Sequence, residues 1–222
     1  MLQESFFKPD SDWSPPTSFP NLTTAKEIAI DLETYDPLLL THGPSWALGQ
    51  GRIIGICVAT EGYKGYFPVA HENGANLDKG VVYRWLANLL VCKNDKIFHN
   101  AQYDVGWLLS EGFIINGKIH DTMMAAPLIN ENEYSYSLNN LGKRFLNEIK
   151  DESLLTEAAE ALGINPKSEM YKLEPKYVGL YGEQDADLTY RLWQVLKKKL
   201  VEEGVEEIYE LESSLIRVLI DM

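Results

Sequence analysis

The chain has 222 residues, 45% of them hydrophobic, which is enough for one sizeable globular domain with short appendages. Its 33 acidic and 20 basic side chains give a net charge of −13, the wrong sign for holding long nucleic acid, so a polynucleotide would be bound over a short length through metal ions or with help from a partner domain. No run of about 18 apolar residues and no charged-then-apolar leader is present, so we expect a cytoplasmic protein without a membrane partner.

Residues 1–23 are predicted to form an extended segment without a core of its own. Prolines at positions 9, 15, 16 and 20 disfavour regular structure there. Trp13 and Phe19 are candidates for anchoring this N-terminal extension to the surface of the domain or to a neighbour. We assign no chemistry to it.

The first predicted strand lies within Lys26–Thr34 and carries two carboxylates near its end. Successive strand side chains point to opposite faces, so Asp31 and Glu33 share one face. Such a pair alone is often a turn signal or an exposed edge, but open α/β sheets also bind their ligands at the carboxyl ends of strands. Segment 34–51, which follows, is predicted to lack regular structure. It either frames a site or is an ordinary surface loop.

Two more strands, a helix and a fourth strand are predicted next, at Arg52–Thr60, Tyr66–Ala70, Asp78–Val91 and Lys96–His99. The first two strands should form a meander with the opening strand, and the helix should cover the sheet.

Cys57 and Cys92 show no spacing typical of a zinc site and are expected to be buried, reduced thiols.

Asn100 and Asp104 lie where the fourth strand meets a helix. Asn100 suits the N-cap of that helix, and Asp104, four residues later, should share its helical face. The junction would then present an amide beside a carboxylate. Taken alone, such a pair is commonly structural.

The remaining predicted elements are mostly helical. A short strand around Lys118–His120 precedes a helix capped by Asp121, and helical patterns recur at Ser137–Asn147, at Glu152–Leu162 and before Tyr177.

A long helix from about Val178 to Glu203 carries Tyr181 and Asp185, which share a face at positions i and i+4. An ordinary amphipathic helix with a buried tyrosine would show the same pattern. Residues 208–222 then begin another amphipathic helix without a stop signal, as expected if the chain continued.

Together these motifs, Asp-x-Glu, Asn-xxx-Asp and Tyr-xxx-Asp, resemble those of the DEDD superfamily of 3′–5′ exonucleases. The residues that carry the resemblance are Asp31, Glu33, Asn100, Asp104, Tyr181 and Asp185. The chain is similar to the tyrosine subtype, because Leu180 stands where the histidine subtype has its histidine. The segments His99–Asp104, Asp121–Met123 and Ser137–Leu141 resemble proofreading domains of family A DNA polymerases, and the proline-rich start is most like phage members.

The resemblance implies a ribonuclease H-like α/β fold, with a mixed five-stranded sheet, helices on both faces and the site at the carboxyl end of the first strand. It assigns residues 24–203 to the exonuclease domain and 204–222 to the start of a helix that leads toward a polymerase domain, in cis or in trans. The implied substrate is a single-stranded or frayed DNA 3′ end, hydrolysed to 5′-mononucleotides during proofreading in a bacterial or phage-infected cytoplasm.

The resemblance also implies catalysis by two divalent cations. Two carboxylates about 4 Å apart repel by roughly 4 kcal/mol at an effective dielectric of about 20, so a cluster of four needs cations. All-oxygen ligands favour Mg²⁺ or Mn²⁺. By the family pattern Asp31 bridges both ions, while Glu33 and Asp185 complete the site of the attacking water. Asp104 holds the second ion through water.

The same pattern implies roles for side chains that meet water or substrate. Tyr181 should orient the attacking water, since an unperturbed pKa near 10 suits an orienting group better than a base. Glu33 and the backbone around Leu32 and Thr34 should meet the terminal 3′-OH. Asn100 should help to position the strand.

Two other functions fit the same motifs. The first is an RNA-trimming exonuclease of the ribonuclease D type, which shares the tyrosine motif. The second is a catalytically silent module that stabilises a polymerase, although all four acids and the tyrosine are present.

Overall fold

The computed structural model describes residues 9–222, so the first eight residues of the predicted extension lie outside the described part. The strands are β1 (Glu27–Tyr35), β2 (Arg52–Thr60), β3 (Tyr63–Pro68), β4 (Asp95–Phe98) and β5 (Ile119–Asp121). The helices are α1 (Leu39–His42), α2 (Lys79–Leu90), α3 (Ala101–Ser110), α4 (Thr122–Ile129), α5 (Leu138–Leu146), α6 (Ser153–Leu162), α7 (Pro175–Glu202) and α8 (Glu206–Asp221). Within residues 9–222, no helix combines the length and the apolar character that crossing a bilayer requires.

The strands form one mixed sheet in the order β3-β2-β1-β4-β5. Strands β1, β2 and β3 are antiparallel neighbours and form the predicted meander, whereas β4 runs parallel to both β1 and β5. The predicted mixed five-stranded sheet is confirmed. Strand β1 is central: it pairs with β4 at residues 27–29 and with β2 at residues 29–35, so its carboxyl end is held by β2.

Helices cover both faces of the sheet, and two hydrophobic cores result. The long helix α7 packs on the face that carries Ala29, Cys57 and Ile97. The other face, with Ile28 and Ile30, packs against α2 and α3. The alternation of β1 therefore divides its apolar side chains between two cores, and its acidic side chains lie on the α7 face.

The N-terminal extension is anchored by the two aromatic residues singled out in the sequence. The Trp13 indole N–H donates to Glu183 on α7 at 2.9 Å, and the ring lies where a side chain at Gly179 would otherwise be. Phe19 stacks on Phe67 with ring centroids 5.5 Å apart. The described part of the extension, residues 9–23, is therefore held against α7 and β3 by these two side chains.

Several predicted boundaries differ from the structure. Segment 34–51 is not irregular throughout, because it contains α1 and a 3₁₀ turn at Ser45–Leu48. The pattern before Tyr177 forms a 3₁₀ turn at Met170–Lys172 instead of a helix. Proline at the first position of α7 starts that helix three residues earlier than predicted, since proline is well suited to a first helical turn.

Asn100 lies at the N-cap position of α3, as predicted, but it does not act as a side-chain cap. Its backbone is left-handed, with φ 71°, and its side chain makes no capping hydrogen bond. Asp121 caps α3 instead: its carboxylate accepts from the amides of Asn100 at 3.0 Å and Ala101 at 2.7 Å. The same carboxylate caps its own helix, α4, as predicted, by accepting from Met123 at 2.8 Å and from Met124 at 3.4 Å. One buried carboxylate thus satisfies the amides that begin two helices.

We expect Asp121→Ala to destabilise the fold by about 2–4 kcal/mol, because it removes two helix caps, each worth about 1–2 kcal/mol, and leaves buried amides unpaired. Urea unfolding followed by circular dichroism measures this loss. Asp78→Ala is the matched control, since Asp78 caps only α2 from an exposed position, and its loss should be smaller. Equal losses in the two variants would contradict the shared-cap interpretation.

Candidate active site

Asp31 and Glu33 lie at the carboxyl end of β1, on the face that α7 covers. Directly after Glu33 the pairing with β2 shifts register, so the strand is irregular where the carboxylates end. Cys57 of β2 is the register partner of Asp31. One carboxylate oxygen from each acid and the Cys57 sulfur lie within 4.8 Å of one another.

Asp104 reaches this group from the first turn of α3. It is 3% exposed, and its carboxylate accepts a hydrogen bond of 3.1 Å from the Leu32 amide. The amide between Asp31 and Glu33 thus ties α3 to the end of β1. This bond employs the Leu32 N–H, which was predicted to lie near a 3′-OH.

Tyr181 and Asp185 come from α7, one helical turn apart, and both are buried. Gly182 allows the helix to come this close. A Cβ atom there would fall 2.6 Å from the Cys57 sulfur and 3.7 Å from Oε1 of Glu33. The structure therefore brings together the four predicted acids and the tyrosine from β1, α3 and α7.

Burial and mutual repulsion disfavour the charged forms of these acids. Burial, and next the charge of Asp185, raises the pKa of Asp31 to about 7. Burial followed by the charge of Asp31 raises the pKa of Glu33 and that of Asp104 well above the usual carboxyl range. The pKa of Asp185 is also raised, chiefly by burial. Such a cluster is stable in ionised form only when cations accompany it.

Divalent cations fit the donor set of this cluster. Buried Oε1 of Glu33 accepts no hydrogen bond from any part of residues 9–222, and Oδ1 of Asp185 is in contact with a lysine ammonium alone. Carboxylate oxygens are the ligands that Mg²⁺ and Mn²⁺ prefer. Burial raises the pKa of the Cys57 thiol well above its ordinary value, so this sulfur stays protonated and is a poor ligand beside them.

Two lysines at the site were missed by the sequence analysis. Lys150 follows α5, and its Nζ lies 2.8 Å from Oδ1 of Asp185 and donates to Oδ2 at 3.0 Å. The Lys167 Nζ lies 3.9 Å from the centroid of the Tyr181 ring. Glu152 is within 3.4 Å of the Lys150 Nζ and 3.0 Å of the Lys167 Nζ. Neither lysine belongs to a motif or to a periodic pattern, so nothing in the sequence distinguishes them from surface lysines.

The segment after β1 is tied to the site by hydrogen bonds. The Thr34 and Tyr103 hydroxyls lie 2.7 Å apart, and the Tyr103 hydroxyl donates to Asp36 at 2.9 Å. Asp36 in turn accepts from the amide of Ser45 at 3.1 Å. The segment is therefore held against α3, the helix that carries Asp104, and its predicted role in framing a site stays a prediction. Asn100 is exposed at the start of α3, and its side chain remains available to a ligand.

Two cavities differ in their relation to the acids. One of about 410 Å³ is lined by Tyr181, Gln184 and Asp187, so it meets the candidate site through the tyrosine alone. A larger one, of about 620 Å³, is lined by Glu27, His120 and Trp193 and lies near the start of β1. None of the predicted site residues lines the larger cavity, and none of the four acids lines either.

Comparison with known proteins gives consistent matches. Residues 18–201 match a family model described as 3′–5′ exonuclease. The chain is 37% identical over 220 residues to a DNA-directed DNA polymerase of Pseudomonas phage M6, covering 94% of this chain and 32% of that protein. It is 28% identical to DNA polymerase I of Borreliella burgdorferi, covering 91% of this chain and 21% of that protein. The chain thus spans about a third or less of the length of these relatives.

The fold is also similar to that of solved structures. Brucella melitensis NrnC superposes with a TM-score of 0.66 at 17% identity, covering 91% of this chain and 88% of that one. At this level of identity the likeness concerns the fold alone. It places the mixed sheet and its helices among ribonuclease H-like exonuclease folds.

In the absence of metal, we expect folding stability to fall between about pH 6.5 and about pH 8. A carboxyl whose pKa is raised by folding gives stability that is complete below its unfolded pKa and is lost as the pH rises through its folded pKa, here from 3.8 toward about 7 for Asp31. Buried His71 and His99, whose pKa is lowered to about 4, have the opposite effect, but only below their unfolded value of 6.5.

The midpoints of urea unfolding in chelator at about pH 6.5 and about pH 8 measure this loss of stability. Saturating Mn²⁺ should reduce the loss. Asp31→Asn should also reduce it, since this variant removes one titrating carboxyl. A midpoint in chelator that does not change over this range would contradict the expected electrostatics.

Proposed function

Because the chain belongs to the 3′–5′ exonuclease family found in family A DNA polymerases, we propose that it removes nucleotides from single-stranded or frayed DNA 3′ ends for proofreading. The observation that carries this proposal is the convergence of four carboxylates and a tyrosine at the carboxyl end of β1. The products would be 5′-mononucleotides.

The proposed metal ligands are Asp31, Glu33, Asp104 and Asp185, which would hold two Mg²⁺ or Mn²⁺ ions, with Asp31 shared between them. When bound, such ions activate the attacking water and stabilise the leaving 3′ oxygen. The fold supports this assignment because it keeps the four carboxylates close together in spite of their repulsion, three of them buried and Asp31 half-buried. Their orientation then needs little reorganisation when substrate arrives.

Tyr181 is proposed to orient the attacking water. Burial, together with the charges of Asp185 and Glu33, raises the pKa of the phenol well above its ordinary value. The hydroxyl therefore keeps its proton near neutral pH and acts as a hydrogen-bonding group, not as a base.

Substrate contact is proposed for a small group of residues at the mouth of the site. Glu33 and the backbone around Leu32 and Thr34 would meet the terminal nucleotide, and the exposed Asn100 side chain would position the strand. With a net charge of −13, the chain would neutralise few phosphates. A short, metal-dependent contact with the last nucleotides suits this charge.

The two alternative functions have less support. RNA trimming of the ribonuclease D type is disfavoured because the relatives found by sequence are DNA polymerases. A silent structural module is disfavoured because the four acids and the tyrosine are all present and clustered.

We also propose a polymerase domain as the partner, in cis or in trans, with residues 24–203 as the exonuclease unit and 204–222 leading toward that partner. Helix α8 buries Tyr209 and Ile216 against the domain but leaves a second apolar stripe exposed. The residues of this α8 stripe are Ile208, Leu211, Leu215, Val218, Leu219 and Met222. Its spacing of three and four residues is typical of a helix that packs against another surface. A bacterial or phage-infected cytoplasm is the proposed location.

The central test compares Asp31→Ala with Tyr181→Phe. Removing Asp31 deletes the ligand shared by both ions, so activity should fall to near background. Tyr181→Phe keeps every carboxylate, and because positioned groups contribute about 10²–10⁴-fold, it should be slow, measurable and still metal-dependent. Single-turnover release of 5′-nucleotides from a short DNA strand at saturating Mn²⁺ is the measurement.

A matched RNA strand serves as the substrate control in the same assay. Faster degradation of RNA would favour the ribonuclease D alternative, and no activity in the parent chain would favour the silent module. A Tyr181→Phe variant as fast as the parent would reduce the tyrosine to a packing residue.

The partner is tested with the polymerase domain of the phage M6 relative and isothermal titration calorimetry. Leu211→Glu places a charge in the α8 stripe and should weaken binding by at least about tenfold, because burying an unpaired charge is costly. Ser214→Glu adds the same charge on the same helix beside the stripe and should have a smaller effect. Equal effects, or no binding by the parent, would refute the stripe as the docking surface.

A further inference from the structure

Lys150 holds an unusual position for a lysine in a site made for metal ions. Its side chain is 8% exposed, as is that of Asp185, and its ammonium lies within 3.0 Å of both oxygens of this carboxylate. It also donates to the Tyr181 hydroxyl at 3.4 Å. The ammonium thus touches two of the five residues that form the candidate site.

The local charges explain why a cation is needed there. Glu33, Asp104 and Asp185 are buried and Asp31 is half-buried beside them, and a buried carboxylate is strongly unfavourable unless it is paired. Among residues 9–222, Lys150 is the basic side chain that forms a salt bridge with a member of this cluster. Lys167 bonds to Glu152 and faces the ring of Tyr181, so it does not replace that contact.

A divalent cation at Asp185 would need the same oxygen atoms. Since the ammonium is close to both oxygens, it has to withdraw from at least one of them when an ion binds, and two cations so near to each other repel. Lys150 has an alternative acceptor away from the cluster, because Oε1 of Glu152 lies 3.4 Å from its Nζ. Glu152 is partly exposed, so the ammonium can turn toward solvent without losing a partner.

We propose that Lys150 is a resident counter-ion of Asp185 that competes with the catalytic cations. The Lys150 ammonium pairs with Asp185 in the metal-free protein. When an ion binds, the ammonium moves to Glu152. This inference rests on the metal ligands of the proposed function and adds to them a positioning residue that sets metal affinity. It keeps the carboxylate oriented and paired until the ion arrives.

The test measures Mn²⁺ affinity by calorimetry and thermal unfolding, without any assay of activity. Lys150→Met keeps the length of the side chain and removes its charge. It should bind Mn²⁺ about tenfold more tightly, within the roughly 5–150-fold range typical of coupling between two ligands. Its unfolding temperature should fall in chelator and return toward that of the parent in saturating Mn²⁺. Lys150→Arg, which keeps the charge, should stay near the parent.

Lys197→Met is the matched control. Lys197 forms a salt bridge with Glu27 at 2.8 Å, near the other end of β1. Its loss should lower the unfolding temperature equally with and without Mn²⁺ and leave Mn²⁺ affinity unchanged.

Glu152→Gln provides an independent variant in case Lys150→Met fails to fold. It removes the charge of the alternative acceptor, so the ammonium should be harder to displace and Mn²⁺ should bind more weakly. Unchanged or weaker Mn²⁺ binding by Lys150→Met overturns the competition, as does unchanged or tighter binding by Glu152→Gln. A parent chain that binds no Mn²⁺ would instead overturn the proposed metal site and this inference with it.

Discussion

The electrostatic cost of holding four carboxylates together is the constraint on which the rest of this structure depends. Asp31, Glu33, Asp104 and Asp185 are ordinary acids in a part of the molecule where water is largely excluded. Their raised pKa values show that the folded chain holds them against both burial and repulsion. Packing in the two hydrophobic cores offsets the cost of holding the acids together. Because the clustered acids carry negative charge, the site favours cations.

The fold meets this constraint by holding the four acids in place on three separate elements, β1, α3 and α7. Central strand β1 pairs with β2 as far as Tyr35, and this ladder holds the end that carries Asp31 and Glu33. Asp104 is fixed by the Leu32 amide, and α7 approaches closely because Gly182 has no side chain. Three kinds of contact therefore hold the four acids: the strand ladder for Asp31 and Glu33, a hydrogen bond to backbone for Asp104, and helix packing for Asp185.

The sequence predicted the parts of this arrangement that follow from periodicity, and missed those that depend on tertiary contact. Alternation along β1 correctly separated Asp31 and Glu33 from the isoleucines, and the i, i+4 spacing correctly paired Tyr181 with Asp185. The rule for N-caps placed Asn100 correctly but did not reveal its left-handed backbone, nor that a carboxylate 21 residues later accepts from its amide. Lys150 could not be predicted either, since its role comes from a contact with a residue 35 positions away.

Asp121 links more than two helices. Its own amide donates to the Tyr209 hydroxyl of α8 at 3.0 Å, while its carboxylate holds the start of α3. Helix α8, with its exposed apolar stripe, is thus joined through one residue to the helix that carries Asp104. Asp121 is therefore a mechanical link between the exposed face of α8 and the helix that carries one of the four acids. A displacement of α8 would therefore act on the start of α3 through this residue as well as through the buried side chains of α8.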